Sequence, residues 1–408
     1  MALVRPFHAL RPTPEVAPAV ASVPYDVVSR AEALALTVDN PLSFLHVSRS
    51  EVDLDPEVDA YDNAVYQRAV ANLARLKRDA PLVVEDTASL YVYRLREGAH
   101  EQTGVAGCFS LDEYDRDVVK KHERTRPDKE DDRTRHMLSL RAQTGIVFLA
   151  YRSTTAVDTV TTRACLRPPL FDVDAPDGVS HTIWRLEADD TTAIVESFKR
   201  VPSLYIADGH HRIASAARAR DDWAAAGGRD ESAEVCFFLG VAFPDEQTRI
   251  LPYNRTVADL AGQTPGHFLD ALRARSPVRA DASPHPAPGH AAMYLDGRWY
   301  GIALTPGLPD ARSVSGRLDV AVLQDGILAE ILGVGDVRTD PRMAFVGGVR
   351  GIAELETRVD SGVAAVAFSL AAVTPQQLLA VSDADEIMPP KSTWFEPKLR
   401  DGLLIHEI

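Results

Sequence analysis

The sequence predicts an α/β protein, with a mixed sheet flanked by helices and a second, smaller α+β domain. Three observations support this class. An apolar strand, a tight turn and an Ala-rich helix follow one another over residues 201–223. A continuous apolar run then covers residues 234–243, as is typical of a strand buried on both faces of a sheet. In a separate region, strands 291–295 and 298–304 are predicted to pair as a hairpin across Asp296-Gly297.

The remaining chain divides by hydrophobic pattern and by breaks in it. A strand is expected at 44–48 and an amphipathic helix at 56–77, with apolar residues at helical spacing. Residues 260–375 have the helices and strands of a separate domain. We therefore predict a main domain over 1–258, a second domain over 259–375, and a C-terminal segment over 376–408 that returns to the site of the main domain.

Composition limits the classes of partner. The 408 residues carry a net charge of -15, which argues against nucleic acid and anionic membranes as partners and favours a small-molecule ligand at a locally basic pocket. The three cysteines form no CxxC pair, so neither a disulfide framework nor a zinc site is expected. No signal-peptide pattern and no apolar run of about 18 residues is present, so we expect a cytoplasmic protein.

The turn between strand and helix near residue 209 is the strongest candidate site. Asp208 is expected to cap the helix, and Gly209 allows a sharp turn or a close approach to a ligand. His210, His211 and Arg212 follow at the positive end of the helix, where an anion such as phosphate binds favourably. The alternative is an ordinary strand–turn–helix unit whose polar residues face water.

A second group of candidates precedes Pro127. His122, Glu123 and Thr125 lie within four residues, and such groups can supply a base, a metal-bound carboxylate or phosphate donors. Because a proline interrupts helices, this part is predicted to be a loop or a helix end. A plain solvated helix is the alternative, especially over residues 129–135, where both signs of charge alternate.

Two further loops are candidates. Lys391, Ser392 and Thr393 follow two prolines, and a rigid loop with a cation and two hydroxyls suits phosphate or carboxylate. The alternative is an exposed tail that packs its aromatic residues on the core. Tyr25 and Asp26 follow Pro24 and either point into a cleft or pack at a core edge. The chain lacks a Walker A motif, a GxGxxG motif and a Gly-x-Ser-x-Gly elbow.

An ordered set of motifs along nearly the whole chain resembles one family. The motifs are Arg5-Pro-Phe7, Pro24-Tyr-Asp-Val27, His122-Glu-Arg-Thr125, Ala207-Asp-Gly-His-His-Arg212, Leu251-Pro-Tyr-Asn-Arg255 and Met388-Pro-Pro-Lys-Ser-Thr-Trp-Phe-Glu-Pro-Lys-Leu399. On these, the chain is identified as a member of the bacterial and archaeal domain-of-unknown-function family 1015. More distantly, residues 208–212 resemble the phosphate-binding turn of the ParB/sulfiredoxin superfamily, particularly ParB-like kinases that phosphorylate free L-serine with ADP or ATP. No basic helical DNA-binding domain of the ParB type is visible.

The resemblance implies a ParB/sulfiredoxin-like core and phosphoryl transfer from ATP or ADP, with Mg²⁺, to a small hydroxylated metabolite, with serine as a candidate. Gly209 and the backbone after it would cradle phosphates, and the His-His-Arg run would neutralise them. Asp208 would cap the helix or hold Mg²⁺ through water. Glu123, with or without His122, would accept the hydroxyl proton, and Asp26 is a second candidate for this role. Residues 391–393 would bind another anionic group. The substrate-side candidates are Tyr25, Asp26, Thr125, Asn254 and Arg255.

Two other functions stay open from the sequence. One is a non-catalytic, nucleotide-binding regulator of the ParB type. The other is a metal-dependent hydrolase that uses His122, Glu123, His210 and His211, although their spacing fits no standard zinc pattern.

Overall fold

The computed structural model describes residues 2–80, 82–304 and 313–408. The strands are β1 Val4–Arg5, β2 Ala9–Arg11, β3 Val83–Val84, β4 Tyr91–Glu97, β5 His100–Ser110, β6 Val119–Lys120, β7 Ala142–Gln143, β8 Val147–Tyr151, β9 Phe171–Asp174, β10 Val179–Arg185, β11 Leu204–Asp208, β12 Phe237–Pro244, β13 Ile250–Leu251, β14 Tyr253–Val257, β15 Val278–Ala280, β16 His290–Leu295, β17 Arg298–Ala303, β18 Met343–Gly347, β19 Val366–Leu370, β20 Trp394–Phe395 and β21 Ile405–Glu407.

The helices are α1 Ala17–Val20, α2 Arg30–Thr37, α3 Leu45–Ser48, α4 Asn63–Asp79, α5 Leu111–Asp115, α6 Pro127–Leu140, α7 Thr155–Ala164, α8 Ala188–Phe198, α9 His210–Ala225, α10 Pro265–Arg273, α11 Asp319–Leu323, α12 Gly351–Asp360 and α13 Pro375–Asp383. Helix α11 continues into a π-helical stretch at Gln324–Ala329. In the described part of the chain, no helix combines the length and the apolar character needed to cross a bilayer.

The chain folds into two compact units. The first contains Met1–Lys121, Thr125–Thr248 and Pro397–Ile408, and the second contains His122–Arg124 and Arg249–Glu396. The predicted α/β (α+β) class, with a mixed sheet and flanking helices, is confirmed as a mixed α+β fold.

The first unit is built on a nine-stranded mixed sheet. The strand order is β6-β11-β8-β12-β5-β4-β10-β9, and β1 pairs with β5. Strands β8 and β12 run parallel, as do β6 and β11, and the other pairs are antiparallel. Every residue of β12 is buried, as its unbroken apolar sequence predicted. A smaller sheet in the order β3-β2-β21-β7 includes the C-terminal strand.

The second unit is built on an antiparallel sheet in the order β15-β17-β16-β19-β14-β18. Strands β16 and β17 form the predicted hairpin across Asp296-Gly297, where both residues have positive φ. Strand β14 lies between β19 and β18, so the residues it carries are held on both sides by the sheet.

Two predicted elements differ in the structure. Helix α4 begins at Asn63, after its N-cap Asp62, rather than near residue 56, because Asp55 and Asp59 accept the backbone N–H groups of Glu57 and Tyr61. Such local hydrogen bonds compete with the helix and confine it to the residues beyond them. The strand predicted at 44–48 is a short helix, α3, with Phe44 as its N-cap residue; Phe44 and Val47 are buried three residues apart. The residues before Pro127 form a loop, as predicted, and Pro127 begins α6, where its missing N–H costs nothing.

Candidate functional site

The turn between β11 and α9 has a backbone conformation that allows a ligand to approach the main chain closely. Helix α9 begins at His210, as predicted, and Gly209 before it has φ 99°, a value that disfavours residues with a Cβ. A Cβ at this position would lie 3.3 Å from Cδ of Arg212 and 3.4 Å from Cα of Val147. The prediction that Asp208 caps the helix is wrong, because no side chain makes a capping hydrogen bond here.

Asp208 is instead the last residue of β11 and forms an ion pair. Its Oδ2 accepts a hydrogen bond from Nζ of Lys398 at 2.8 Å. Burial alone would raise the pKa of Asp208, but the nearby ammonium of Lys398 and guanidinium of Arg212 outweigh it and hold that pKa below the ordinary value. Asp208 is therefore an ionised carboxylate at neutral pH.

Arg212 connects the turn to the N-terminal candidates. Its Nη2 donates to both carboxylate oxygens of Asp26, at 2.8 and 2.9 Å, and its Nη1 donates to the carbonyl of Ile146 at 2.7 Å. The guanidinium also lies 5.6 Å from the ring centroid of Tyr25. The structure thus brings Tyr25, Asp26 and Arg212 together. Arg212 is 7% exposed, and its guanidinium ties the turn to Asp26 and to the backbone at Ile146; its predicted contact with phosphate stays a prediction.

The surroundings of the two histidines favour neutral imidazoles, since His210 is buried and His211 accepts a backbone N–H; their predicted role in neutralising phosphate charge stays a prediction. Burial lowers the pKa of His210 to about 4; attraction to Asp208 opposes this shift, and His211 and Lys121 add to it. Nε2 of His211 accepts the backbone N–H of Arg126 at 3.0 Å, so that nitrogen carries no proton. Any contribution of these residues to anion binding therefore comes from hydrogen bonds and from the end of the helix rather than from imidazolium charge.

Sequence reasoning missed two residues that lie beside this turn, Lys398 and Asp401. Asp401 is 2% exposed, and burial raises the pKa of its carboxyl group to about 7, with repulsion from Asp26 adding to the effect and attraction to Arg212 opposing it. A signal for Lys398 was available, because it stands in the Pro397-Lys-Leu399 end of the last family motif. No such signal marks Asp401, whose burial depends on the fold.

A small cavity adjoins Arg212. Its volume is about 30 Å³, enough for one or two water molecules and far too small for a nucleotide. Nε of Arg212 is buried and has no hydrogen-bond partner among the described residues, so a water in this cavity could satisfy it. The lining residues are Tyr25, Arg133, His136, Met137, Ala142, Thr144, Gly145 and Arg212.

In the second unit, the structure brings His122 close to the 388–393 loop. The carbonyl of His122 accepts the N–H of Met388 at 2.9 Å, and its Nε2 lies 3.5 Å from Oγ1 of Thr393. His122 is buried, and the neighbouring Glu123 is half-buried. Thr125, predicted with them, belongs to the first unit and is half-buried.

The other predicted residues of the second unit differ in exposure. Lys391 is exposed and has φ 55°, while Oγ of Ser392 donates to the carbonyl of Pro389 at 2.5 Å. Asn254 is buried, and its Oδ1 accepts the N–H of Leu370 at 3.3 Å. Arg255 is 1% exposed, and its acceptors among the described residues are backbone carbonyls. Neither Asn254 nor Arg255 is placed to contact a substrate directly, because both are enclosed in the sheet.

Asp208 does not fit the predicted role of a Mg²⁺ ligand in this arrangement. Its carboxylate is already paired with Lys398, and Arg212 offsets its charge further. A divalent cation would have to displace the ammonium group and would face two positive charges nearby. We assign no chemical step to a metal ion.

The chain belongs to the family described as protein of unknown function DUF1015, whose model matches residues 4–321. This confirms the family predicted from the ordered motifs. No curated protein matches the chain.

Several solved structures are similar to this chain. A free serine kinase in complex with AMP is 12% identical, with 73% of this chain and 91% of that chain covered and a TM-score of 0.37. A conserved hypothetical protein from Pyrococcus furiosus is 14% identical, with 73% and 94% covered and a TM-score of 0.35. SbnI with a C-terminal truncation, from Staphylococcus aureus, is 11% identical, with 72% and 85% covered and a TM-score of 0.38. At this similarity, no activity transfers from those proteins to this chain.

Proposed function

We propose that this protein is a nucleotide-dependent phosphotransferase that acts on a small hydroxylated metabolite, with free L-serine as the first candidate. The observation that carries the proposal is the turn at Gly209. A glycine of positive φ lets the backbone approach a ligand closely, and the N-terminus of the sixteen-residue helix α9 follows at once. This combination suits the phosphates of ATP or ADP.

The charged residues beside the turn are consistent with a phosphate that competes with Asp208 for the ammonium group of Lys398. The ammonium of Lys398 is paired with Asp208 and is 15% exposed, whereas the guanidinium of Arg212 is more deeply buried. An arriving phosphate would share Lys398 with Asp208 and would gain hydrogen bonds from the start of α9. Arg212 would keep the turn in place through Asp26 and the carbonyl of Ile146.

Glu123 is the proposed acceptor of the substrate hydroxyl proton, together with His122. Asp26 suits this role less well, because both of its oxygens accept hydrogen bonds from Arg212. Lys391, Ser392 and Thr393 are proposed to bind a second anionic group, such as a substrate carboxylate. Phosphoryl transfer depends mainly on positioning and charge stabilisation, so one carboxylate base and a few donors are sufficient.

A non-catalytic nucleotide-binding regulator is the second candidate. It is favoured by the ion pairs of the first unit, since both Asp26 and Asp208 are occupied by cations and neither is available as a base. Such a protein would bind nucleotide at the same turn and would release no phosphorylated product.

The test is to incubate the protein with γ-labelled ATP or β-labelled ADP, with and without Mg²⁺, and with a pool of small alcohols that includes L-serine. Transfer of label to one alcohol supports the phosphotransferase. Saturable nucleotide binding without product supports the regulator, and absence of nucleotide binding contradicts both.

The variant Glu123→Gln separates binding from chemistry. We expect it to bind nucleotide as the wild type does and to lose transfer by about 100-fold or more, because general-base catalysis contributes about 10²–10⁴-fold. Glu246→Gln, an exposed glutamate of the first unit, is the control and should keep both properties. Full transfer activity in Glu123→Gln would show that Glu123 is not the base.

A further inference from the structure

Arg255 in β14 is a buried cation without a carboxylate partner. It is 1% exposed, and it forms no ion pair with any residue that the structure describes. Burial lowers the pKa of Arg255 to about 10, so the guanidinium still carries its charge at neutral pH. A buried charge without a counterion is costly and needs other compensation.

Backbone carbonyls supply that compensation. Nη1 of Arg255 donates to the carbonyl of Tyr253, and Nη2 donates to the carbonyls of Pro390 and Lys391 at 3.3 and 3.2 Å. Two of these three acceptors belong to the 388–393 loop. Arg255 therefore ties that loop to the centre of the sheet in the second unit.

The loop is held in a conformation that its sequence alone would not favour. Lys391 is a residue with a Cβ in the left-handed region, at φ 55°. The loop is also fixed by the bonds from Met388 to the carbonyl of His122 and from Ser392 to the carbonyl of Pro389. With two carbonyls drawn toward Arg255, their oxygens are directed at a cation and do not repel an anion that approaches Lys391.

We propose that Arg255 is a positioning residue for an anion subsite on the 388–393 loop, where Lys391 and Thr393 bind a phosphate or carboxylate group. Arg255 is too deeply buried to touch the anion. It keeps the loop in shape and adds a positive charge beneath it. This inference rests on the proposed function, in which the same loop binds the second anionic group.

The experiment compares Arg255→Met and Arg255→Lys with the wild type, using inorganic phosphate as the probe. Hydrogen exchange over residues 388–396 should be faster in Arg255→Met, because the loop loses its anchor, and phosphate should bind about tenfold more weakly, a change that corresponds to about 1.4 kcal/mol. Arg255→Lys keeps the charge but not the fork of donors, so it should recover part of the affinity while exchange stays faster.

Arg342→Met is a matched control in the same unit. Arg342 also donates to two backbone carbonyls, those of Leu332 and Gly333, both at 3.0 Å. Its replacement should leave exchange over 388–396 and phosphate affinity as in the wild type.

Unchanged loop exchange together with unchanged phosphate affinity in Arg255→Met overturns the inference. If Arg255→Met does not fold, Arg255→Lys decides, since wild-type exchange over the loop in that variant overturns the inference equally. The proposed function fails separately: absence of label transfer with Arg255-dependent phosphate binding contradicts the kinase but supports the subsite. Normal label transfer together with normal phosphate binding in Arg255→Met supports the kinase and contradicts the anion subsite.

Discussion

Arg212 is a single guanidinium shared among carboxylates from separate parts of the first unit. Asp26, Asp208 and Asp401 all raise the pKa of Arg212, whereas burial alone would lower it. Lys398 offsets one of these carboxylates, Asp208. Burial makes the surroundings of Asp401 unfavourable for a negative charge, so its pKa is raised and it keeps its proton to a higher pH than an ordinary aspartate.

The first prediction concerns Asp26→Asn, which removes the charged partner of Arg212. We expect a loss of about 1–2 kcal/mol in the free energy of unfolding, less than for a fully buried pair because Asp26 is 37% exposed. Urea denaturation measures it. Glu101→Gln is the control, since its ion pair with Arg96 is exposed on both sides and should contribute little. Equal effects of the two variants would contradict the role given to burial.

The second prediction concerns the pH dependence that Asp401 produces. Its pKa is raised in the folded state to about 7 from an ordinary 3.8, so the folded state binds more protons than the unfolded state between those values. Stability from this group is therefore full below pH 3.8 and is lost as the pH rises toward 7. Asp401→Asn cannot ionise and should be more stable than the wild type at pH 8 by about 1–3 kcal/mol.

The measurement is a series of urea titrations of both proteins from pH 4 to pH 8. The difference in free energy of unfolding between the two proteins should grow with pH. Taking the difference removes the contribution of the titrating groups that both proteins share. Asn retains an oxygen that can accept the backbone N–H of Tyr25, so the variant keeps this hydrogen bond and loses only the ionisable group. A difference that stays constant across the range would contradict the raised pKa.

At the scale of elements, the β11–α9 unit was predictable because its sequence is locally consistent. An apolar run, a glycine and an Ala-rich stretch each favour the conformation they adopt. The sequence predicted that Asp208 caps α9, but it forms an ion pair instead. An aspartate suits both roles, so its residue type does not distinguish them. Only the position of Lys398, far away in the sequence, decides between them.

The third prediction concerns Gly209→Ala. The positive φ of 99° and contacts at 3.3 and 3.4 Å should together reduce stability by about 1–3 kcal/mol, and nucleotide binding should fall because the backbone turn changes. Gly227→Ala is a matched control, because Gly227 has φ 100° at the other end of the same helix and nothing near a new Cβ. It should lose stability but keep nucleotide affinity. Unaltered nucleotide affinity in Gly209→Ala would contradict the proposed phosphate site.

At the scale of the whole molecule, the C-terminal residues 397–408 are part of the first unit. Strand β21 lies inside the small sheet, between β2 and β7, and Ile405 is fully buried. Lys398 and Asp401 lie in the same stretch. Distant parts of the sequence therefore complete one core and one site together. The domain boundaries at 258 and 375 stay predictions.

The fourth prediction concerns this stretch. A chain that ends at Glu396 loses a central strand and should be degraded much faster than the wild type in limited proteolysis of the first unit. Ile405→Ala should lower the free energy of unfolding by about 2–4 kcal/mol. Leu166→Ala, at a residue that is 84% exposed, is the control and should have little effect. Equal protease resistance of the shortened and full chains would contradict the structural role of β21.

The sequence by itself determined the α+β class, the family, the turn at Gly209 and the residues Tyr25, Asp26 and Arg212 that the structure brings together. These follow from local propensity and from motifs, which are properties of short stretches. Tertiary structure decided the neutral state of His210, the burial of Arg255 and Asp401, and the pairing of Asp208 with Lys398. The physical reason is that desolvation and ion pairing depend on groups remote in the sequence, and a residue type does not reveal which of those groups will surround it.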